Sequence, residues 1–371
     1  MGPESNRTES RAGLGSSTSS DGHLANGEYR YGNILIFNFF DGVLSRGIPM
    51  YVQNLRIALE QHGFSCCEVR CPASLRRVPR VLLNLLFVAY EQAVVPIWGL
   101  AYDRVIYPYN SVSLLGSLMG GSLLVVHDFI PNSRRRTKFA ARYIRATQRV
   151  YAWFGRDVAL ISRRSEMVAR RARLFPRSRT FIFPNTFFRF MQQLRPEGGQ
   201  RGEHVLLCTG WGINKDLPGA LELYRASGLW QKRTLKILGI SGHSEAVDAF
   251  CAKHREMADR ITVLPRLEDD EVGEAYRAAS WVWVHSREEG YGRSIAEAKL
   301  CGCRIVASDI APFREQWDST IFLYSGLSRF LEAWSRCESA AIADIPREPR
   351  EHALLHQEIA RFLRTLHGRG I

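Results

Sequence analysis

The stretch WVWVHSREEGYGRSIAEAKLCGCRIVASD, residues 281–309, decides the fold. It begins with an apolar run, turns through a loop that contains Gly290 and Gly292, continues as a helix-like segment and ends with a second apolar run at 304–309. The glycines allow a tight turn, and the apolar runs are rich in β-branched and aromatic residues. A strand, a loop, a helix and a strand in this order are typical of a parallel sheet covered by helices.

The same alternation runs through the rest of the chain. In the first half it predicts strands at 32–40, 64–71, 102–108, 122–128, 157–162 and 180–185, and helices at 50–63, 80–95, 111–119, 137–153 and 163–175. A polar, glycine-bearing stretch at 192–203 is typical of a linker. After it the pattern restarts, with strands at 204–210, 235–240, 261–265, 281–286 and 304–309, helices between them and a last amphipathic helix at 351–366. The sequence therefore predicts an α/β fold with two doubly wound halves.

Length and composition agree with two separate cores. The chain has 371 residues, 46% of them hydrophobic, which suffices for two α/β domains and excludes a wholly disordered protein. Its eight cysteines form no CxxC pair, so reduced thiols are favoured over a disulfide framework or a zinc site. Residues 1–28 are polar and lack the apolar region of a signal peptide, so we expect a solvated, disordered tail.

The most apolar window of the sequence lies at 81–100. Its interior is interrupted by polar residues and a proline, namely Asn84, Glu91, Gln92 and Pro96. These interruptions favour a buried helix followed by a break, and we expect no transmembrane segment.

The formal net charge of +13 comes mainly from one segment. Residues 134–179 hold fifteen Arg and Lys but only Asp157 and Glu166 as acids. The predicted helix 137–153 places cations on one face, at Lys138, Arg142, Arg145 and Arg149. Such a concentration of positive charge favours an anionic partner: phospholipid headgroups, a diphosphate-bearing acceptor or nucleic acid. Since no nucleic-acid-binding module is evident, we expect no nucleic acid partner and favour an anionic membrane surface at 134–179.

The loop after strand 281–286 holds the main candidate binding residues. Ligands of doubly wound sheets bind at the carboxyl ends of the strands, and the next helix points its free N–H groups to the same place, which suits a phosphate. Glu289 lies in this loop, and Glu297 lies one turn into the helix. Two carboxylates repel a phosphate, so we infer that they bind hydroxyl groups of a sugar and a ribose.

The sequence E-G-Y-G-x-x-x-x-E-A at 289–298, followed by C-G-C-R-I-V-A-S-D at 301–309, resembles the E-x7-E donor motif of family 4 GT-B glycosyltransferases. The resemblance implies a GT-B fold, in which two Rossmann-like domains face each other across a cleft. It implies that Glu289 holds hydroxyls of the transferred sugar and that Glu297 holds the nucleotide ribose. It also implies that the sugar and phosphates meet the backbone at Gly290, Tyr291, Gly292, Arg293 and Ser294.

Other positions resemble the family less closely. Lys215, in CTGWGINKDLPGALELY (208–224), resembles the phosphate-binding lysine that neutralises the leaving diphosphate. The family often has an arginine where this chain has Trp211, so either Trp211 stacks on the donor or another cation, such as Arg293, substitutes. His127 falls where the family has a histidine that faces the sugar, although a buried histidine bonded to the backbone is the alternative.

Four further residues are candidates by position alone. Arg46 and Gly47 lie in the loop after the first strand, where the family has a glycine loop that closes over the donor. Asn185 falls where the family has a P-N-G strand end, which is a structural feature, and Arg266 follows strand 261–265, near the expected position of the base.

The resemblance also implies a division of the chain and a reaction. The expected parts are a tail at 1–28, an acceptor-side domain at 29–197, a nucleotide-sugar-binding domain at 198–335 and a C-terminal helix at 345–368 that packs back on the first domain. The reaction is transfer of a hexosyl group, with retention, from a nucleotide-sugar to a hydroxyl. Because of the basic segment 134–179, we expect this hydroxyl to belong to a glycan or lipid-linked acceptor, as in bacterial surface polysaccharide assembly. We expect no metal and no cofactor, and a cytoplasmic protein on the inner face of the plasma membrane.

Three alternatives remain at this point. A GT-B nucleotide-sugar epimerase converts the donor without an acceptor, and a catalytically silent sugar-nucleotide-binding protein binds the donor without turnover. A basic nucleic-acid-binding protein shows salt-dependent binding that does not involve Glu289.

Overall fold

The computed structural model describes residues 32–43, 47–129, 138–194, 201–210, 212–240, 242, 244–340 and 349–367. The expected tail at 1–28 and two of the candidates, Arg46 and Trp211, lie outside these described residues.

The first domain is built on a six-stranded parallel sheet in the order β2-β1-β3-β4-β5-β6. Its strands are β1 (Asn33–Phe37), β2 (Ser65–Val69), β3 (Arg104–Tyr107), β4 (Ser122–Val126), β5 (Asp157–Leu160) and β6 (Thr180–Ile182). Its helices are α1 (Ile48–Gln61), α2 (Arg80–Ala89), α3 (Val95–Gly99), α4 (Leu114–Leu118), α5 (Lys138–Trp153), α6 (Arg163–Arg171) and α7 (Phe188–Gln193).

Both faces of this sheet are covered, because alternate side chains of a strand point to opposite faces. Ile34 and Ile36 pack with α1 in one cluster, which continues into the second domain. Leu35 and Phe37 pack in the other cluster, with residues of α2, α3 and α5. The helices α2 to α6 therefore form the outer layer of the first domain.

The second domain repeats the plan with a six-stranded parallel sheet in the order β12-β11-β10-β7-β8-β9. Its strands are β7 (Gly202–Cys208), β8 (Thr234–Leu238), β9 (Ile261–Val263), β10 (Ala279–Val284), β11 (Arg304–Ser308) and β12 (Ile321–Tyr324). Its helices are α8 (Leu217–Ala226), α9 (Leu229–Lys232), α10 (Glu245–Lys253), α11 (Asp269–Ala278), α12 (Arg293–Leu300), α13 (Ala311–Glu315) and α14 (Gly326–Ser339). The strand order reverses between β7 and β10, and such a switch point opens a crevice at the carboxyl ends of the strands. The predicted α/β fold with two doubly wound sheets is confirmed.

The last helix, α15 (Arg350–His367), packs on β6 and α1 of the first domain. Its buried face includes Leu355, Ile359 and Phe362. The backbone N–H of Phe187 donates to Nε2 of His352 at 2.9 Å, so that nitrogen carries no proton. Burial lowers the pKa of His352 to about 4, which keeps the ring neutral near neutral pH.

The prediction for 81–100 is wrong: there is no break, and the helix is mostly exposed. A continuous helix runs from Arg80 to Gly99, with a π-helical turn at Tyr90–Val94 that joins α2 to α3. Pro96 follows directly after the π-helical turn, so the irregular hydrogen bonding lies next to the residue that lacks a backbone N–H. Among the described residues this helix alone is long and apolar enough to cross a membrane, and 22% of its most apolar window is buried.

Candidate functional site

Two loops meet at the switch point of the second sheet. Strands β7 and β10 are neighbours in this sheet, and Cys208 at the end of β7 pairs with Val284 at the end of β10. The loop after β7 contains a 3-10 turn at Ile213–Lys215, and the loop after β10 leads to α12. Residues separated by about seventy positions in the sequence are thus brought side by side.

Lys215 and Glu289 form an ion pair between these loops. The Lys215 ammonium donates to Oε1 of Glu289, and the Ser286 hydroxyl donates to the same oxygen at 2.9 Å. Both side chains are partly accessible, 25% for Lys215 and 11% for Glu289. Because an ammonium has three donors, Lys215 can keep this bond and still donate to two ligand oxygens.

Asn214 and Asp216, which the sequence analysis did not single out, fix this lysine from both sides. The Asn214 side-chain amide donates to the backbone carbonyl of Glu288 at 2.9 Å, and the Asn214 backbone carbonyl accepts from the backbone N–H of Arg287 at 2.7 Å. Arg287 Nε donates to Asp216 Oδ2 at 2.7 Å. No local pattern reveals these bonds, since each joins residues more than seventy positions apart.

His285 supports the same loop from beneath. The Tyr324 hydroxyl accepts from Trp283 Nε1 at 2.8 Å and lies 2.5 Å from Nδ1 of His285. The Asp216 carboxylate, whose Oδ2 lies 3.4 Å from Nε2, favours the tautomer with its proton on Nε2, which leaves Nδ1 to accept from the Tyr324 hydroxyl. Burial lowers the pKa of His285, although Asp216 opposes this shift. The neutral ring holds Asp216, and through it the loop that carries Lys215.

Geometry requires glycine at position 292 of the donor motif and leaves little room for a side chain at position 290. A Cβ on Gly290 would lie 3.3 Å from both the His127 carbonyl oxygen and the Asp128 Cβ, so this loop touches the end of β4 across the cleft. Gly292 has φ +85°, and a Cβ there would lie 2.3 Å from Cε1 of Phe313. Only glycine combines this conformation with this close approach.

The Tyr291 side chain points away from the cleft. It is buried, and its hydroxyl donates to Glu351 of α15 at 2.6 Å. Burial raises the pKa of Tyr291, so the phenol stays protonated. Tyr291 therefore attaches the donor loop to the C-terminal helix, and only its backbone is left to meet a donor.

Arg293 and Glu297 are already engaged with protein groups. The Arg293 guanidinium lies 4.9 Å from the centre of the Phe187 ring, and its Nη2 donates to Glu297 Oε1 at 3.3 Å. The Glu297 side chain is 4% exposed, and its Oε2 accepts from the Tyr276 hydroxyl at 3.2 Å. Arg293 also approaches Asn185 Oδ1 at 3.5 Å. A ribose that binds Glu297 has to replace one of the hydrogen bonds that its carboxylate accepts. The donor-binding roles of Arg293, Ser294 and Glu297 stay predictions.

The remaining candidates lie at different distances from this loop. The His127 backbone N–H donates to Asn110 Oδ1 at 2.6 Å, and its ring lies edge-on to Tyr51, with 4.7 Å between the centres. Gly47 begins α1 with φ +86°, and nothing lies within 4 Å of where its Cβ would be. Arg266 is exposed in the loop after β9, an edge strand three positions from β10, so the structure does not bring it to Glu289.

A cavity of about 320 Å³ opens between the domains beside Glu289. Its wall is mixed in charge: cations Arg164 and Arg287, acids Asp128, Glu288 and Glu289, and apolar groups such as Phe129 and Pro312. A neighbouring contact joins the domains, since Glu315 accepts from the backbone N–H of Arg163 at 3.1 Å. Within the described ranges no group of three or more His, Cys, Asp or Glu is arranged to hold a metal ion.

Residues 212–326 match the family model described as glycosyl transferases group 1. This match covers the loops of Lys215 and Glu289 and most of the second domain. A comparison of the sequence with curated proteins finds no match.

Solved structures with a similar fold cover nearly the whole chain. Sucrose-phosphate synthase from Thermosynechococcus elongatus is 14% identical, with a TM-score of 0.61 over 91% of this chain and 97% of that one. HepE from Anabaena, in complex with UDP-glucose, is 13% identical, with a TM-score of 0.53 over 90% and 95%. A protein described as a UDP-N-acetylglucosamine 2-epimerase from Listeria monocytogenes is 12% identical, with a TM-score of 0.54 over 88% and 91%. These likenesses show the GT-B fold and confirm the predicted fold class.

Proposed function

We propose that this protein is a retaining glycosyltransferase of the family 4 type, which transfers a hexosyl group from a nucleotide-sugar to an acceptor hydroxyl. The observation that carries the proposal is the Lys215–Glu289 ion pair, held at the switch point of the second sheet beside the interdomain cavity. The match of 212–326 to glycosyl transferases group 1 supports it.

In this proposal the donor binds along the two loops. Lys215 and the N-terminal end of α12 hold the diphosphate, because a helix N-terminus and an ammonium both favour anions. Glu289 accepts hydrogen bonds from hydroxyls of the transferred sugar, and Glu297 accepts from the ribose. The backbone from Gly290 to Ser294 meets the sugar and phosphates, while Arg266 and Gly47 are outer contacts.

The chemistry rests on the donor's own phosphate. The bond between the anomeric carbon and the phosphate oxygen breaks, and the acceptor oxygen forms a bond on the same face. The acceptor proton passes to the leaving phosphate. The protein supplies position and positive charge, from Lys215 and the helix N-terminus, so the proposal needs neither a metal nor a cofactor. His127 faces the sugar from the first domain.

The solved complexes suggest the first donor to test. HepE has structures with UDP-glucose, with UDP, and with UDP and glucose together. UDP-glucose is therefore the starting donor. For the acceptor we propose a glycan or lipid-linked glycan of bacterial surface polysaccharide assembly, with the enzyme in the cytoplasm on the inner face of the membrane. The basic segment 134–179 supports this proposal through its charge.

The Listeria structure makes a nucleotide-sugar epimerase the second candidate. Product analysis separates the two. The enzyme is incubated with UDP-glucose alone and with UDP-glucose plus a panel of glycan and lipid-linked acceptors, and the products are resolved by NMR. A transferase releases UDP and forms an α-linked product in the presence of an acceptor. Formation of a new UDP-sugar without acceptor contradicts the proposal that the protein is a transferase. Formation of a β-linked product contradicts the proposal that the transfer occurs with retention.

A further inference from the structure

Large apolar side chains on the outer layer of the first domain face the outside. The helix Arg80–Gly99 exposes Val81, Leu85, Ile97 and Trp98, and α4 exposes Leu115 and Leu118, each between 55% and 74%. Helix α4 packs against both this helix and α5, so these six exposed side chains lie on neighbouring helices of one layer, and we call them together the apolar face. Soluble monomers rarely expose a large continuous apolar patch without a partner.

The helix Arg80–Gly99 is fixed to the domain along its inner side. Leu83 and Val95 belong to the core cluster that includes Phe37 and Tyr107. Glu91 is fully buried, and its carboxylate accepts from the Ser111 hydroxyl at 2.6 Å. A helix held in this way cannot cross a bilayer without losing the core of the domain. The apolar face therefore stays on the outside of the domain, where a partner can contact it only from outside.

Cations surround the apolar face. Arg76, Arg77 and Arg80 are exposed at the start of the helix. Arg156 donates to the carbonyl oxygens of Ser117 and Leu118, at 3.0 and 2.7 Å, and so lies at the end of α4. The exposed stripe of α5 carries Arg142, Arg145, Arg149 and, at its end, Trp153.

Carboxylates are nearly absent from the same region. Between residues 70 and 127 the sequence has only Glu91, which is buried, and Asp103, which accepts from the backbone N–H of Asn33. Residues 138–156 contain no Asp or Glu. An apolar centre with a cationic rim and few acids complements an anionic surface that covers an apolar interior.

We propose that the apolar face docks on an anionic phospholipid bilayer. The apolar side chains of the face insert below the headgroups, and the arginines around it bind headgroup phosphates. This docking site is more than the basic segment 134–179, since the side chains that insert into the bilayer come mainly from the apolar helix Arg80–Gly99. The loop that precedes this helix leaves the same sheet edge as His127, so docking brings the end of the face that carries Val81 and Leu85, and with it the cleft side of the domain, to the bilayer. The consequence for a lipid-linked acceptor rests on the proposed function, whereas the docking itself does not.

The test is flotation of the full chain, without donor, with two kinds of vesicle: phosphatidylcholine alone, and equal parts of phosphatidylcholine and phosphatidylglycerol. The wild type binds the anionic vesicles, and high salt weakens binding without abolishing it. Leu85→Ser/Trp98→Ser lowers the bound fraction about tenfold, because two inserted side chains are lost. The matched control is Leu327→Ser/Leu331→Ser on α14 of the second domain, where both leucines are also exposed, and it binds like the wild type.

Several outcomes overturn the proposal. They are no flotation of the wild type, equal binding of Leu85→Ser/Trp98→Ser and wild type, and equal binding to neutral and anionic vesicles. A lipid-free dimer that the same variant dissociates shows instead that the face joins two copies of the chain.

Thermal unfolding checks that both variants remain folded. Donor binding is measured separately by calorimetry, so vesicle docking without nucleotide binding contradicts the proposed function and leaves the docking standing.

Discussion

The two domains share one architecture and differ in where their distinctive residues lie. In the second domain, the polar contacts gather in the loops after β7 and β10, at the carboxyl edge of the sheet. In the first domain, exposed apolar side chains and arginines gather on the outer helices. A doubly wound sheet thus offers two separate surfaces, its strand ends and its outer helix layer. We expect substitutions on one surface to leave the function of the other unchanged.

The largest expected effect tests the second domain's loops. Lys215→Ala removes the cation proposed to neutralise the leaving diphosphate, and we expect kcat/KM for transfer to fall about 10²- to 10³-fold. Lys232→Ala, at an exposed position at the end of α9, changes the same charge away from the site and should retain wild-type kcat/KM. Initial rates with the donor identified by product analysis provide the measurement. Equal values of kcat/KM for the two variants show that Lys215 takes no part in the mechanism.

A glycine comparison sharpens the claim that geometry fixes the donor loop. Gly292→Ala combines strain at φ +85° with a clash against Phe313, and we expect a loss of about 3 kcal/mol in the free energy of unfolding. Gly326→Ala has φ +78° but nothing within 4 Å, so only the strain remains, about 1 kcal/mol. Urea unfolding of both variants measures the difference. A difference near zero shows that Phe313 moves aside freely.

The contact between the C-terminal helix and the first domain predicts that the free energy of unfolding depends on pH. His352 stays neutral in the folded chain down to a pKa of about 4, whereas the unfolded chain binds a proton near pH 6.5. The unfolded state therefore holds more protons between these values, and stability falls as pH falls from 6.5 to 4, by about 3 kcal/mol from this residue. His352→Gln keeps an acceptor for the Phe187 N–H but does not titrate. Its melting temperature should change less across this window, and parallel curves for variant and wild type contradict the assignment.

The smallest effect concerns the link between the two domains. Tyr291→Phe removes the hydrogen bond to Glu351, and we expect a loss of about 1 kcal/mol in the free energy of unfolding. Glu351→Gln keeps an acceptor and should cost less. A double-mutant cycle by urea unfolding measures the coupling of the two side chains. Additive losses show that this bond does not hold the donor loop to α15.

Much of the fold was predictable because apolar runs alternate regularly with helix-like segments. Most predicted strands agree with the structure to within a few residues. The strand Ile321–Tyr324 and the helix Ala311–Glu315 were not predicted, since such short segments carry weak periodicity. The helix Gly326–Ser339 was also missed, although its pattern is as amphipathic as that of the last helix. The donor loop was found because its glycines and glutamates lie within one short stretch.

What the sequence did not reveal depends on residues far apart in the chain. The bonds of Asn214 and Asp216 to the loop after β10 arise only when β7 and β10 become neighbours. The direction of Tyr291 depends on a helix sixty positions away. The exposure of Arg80–Gly99 depends on which of its sides the sheet covers, and a helix with apolar residues on most of its sides gives little sign of this.

The central claim is that Glu289 recognises the sugar of a nucleotide-sugar donor in the second domain. The most direct measurement is calorimetric titration of wild type and Glu289→Gln with UDP-glucose and with UDP, followed by the GDP, ADP and dTDP counterparts. We expect the wild type to bind one nucleotide series, and Glu289→Gln to weaken the sugar-bearing ligand about tenfold while the bare nucleotide binds as before. No binding of any nucleotide by the wild type, or equal weakening of both ligands, contradicts the claim.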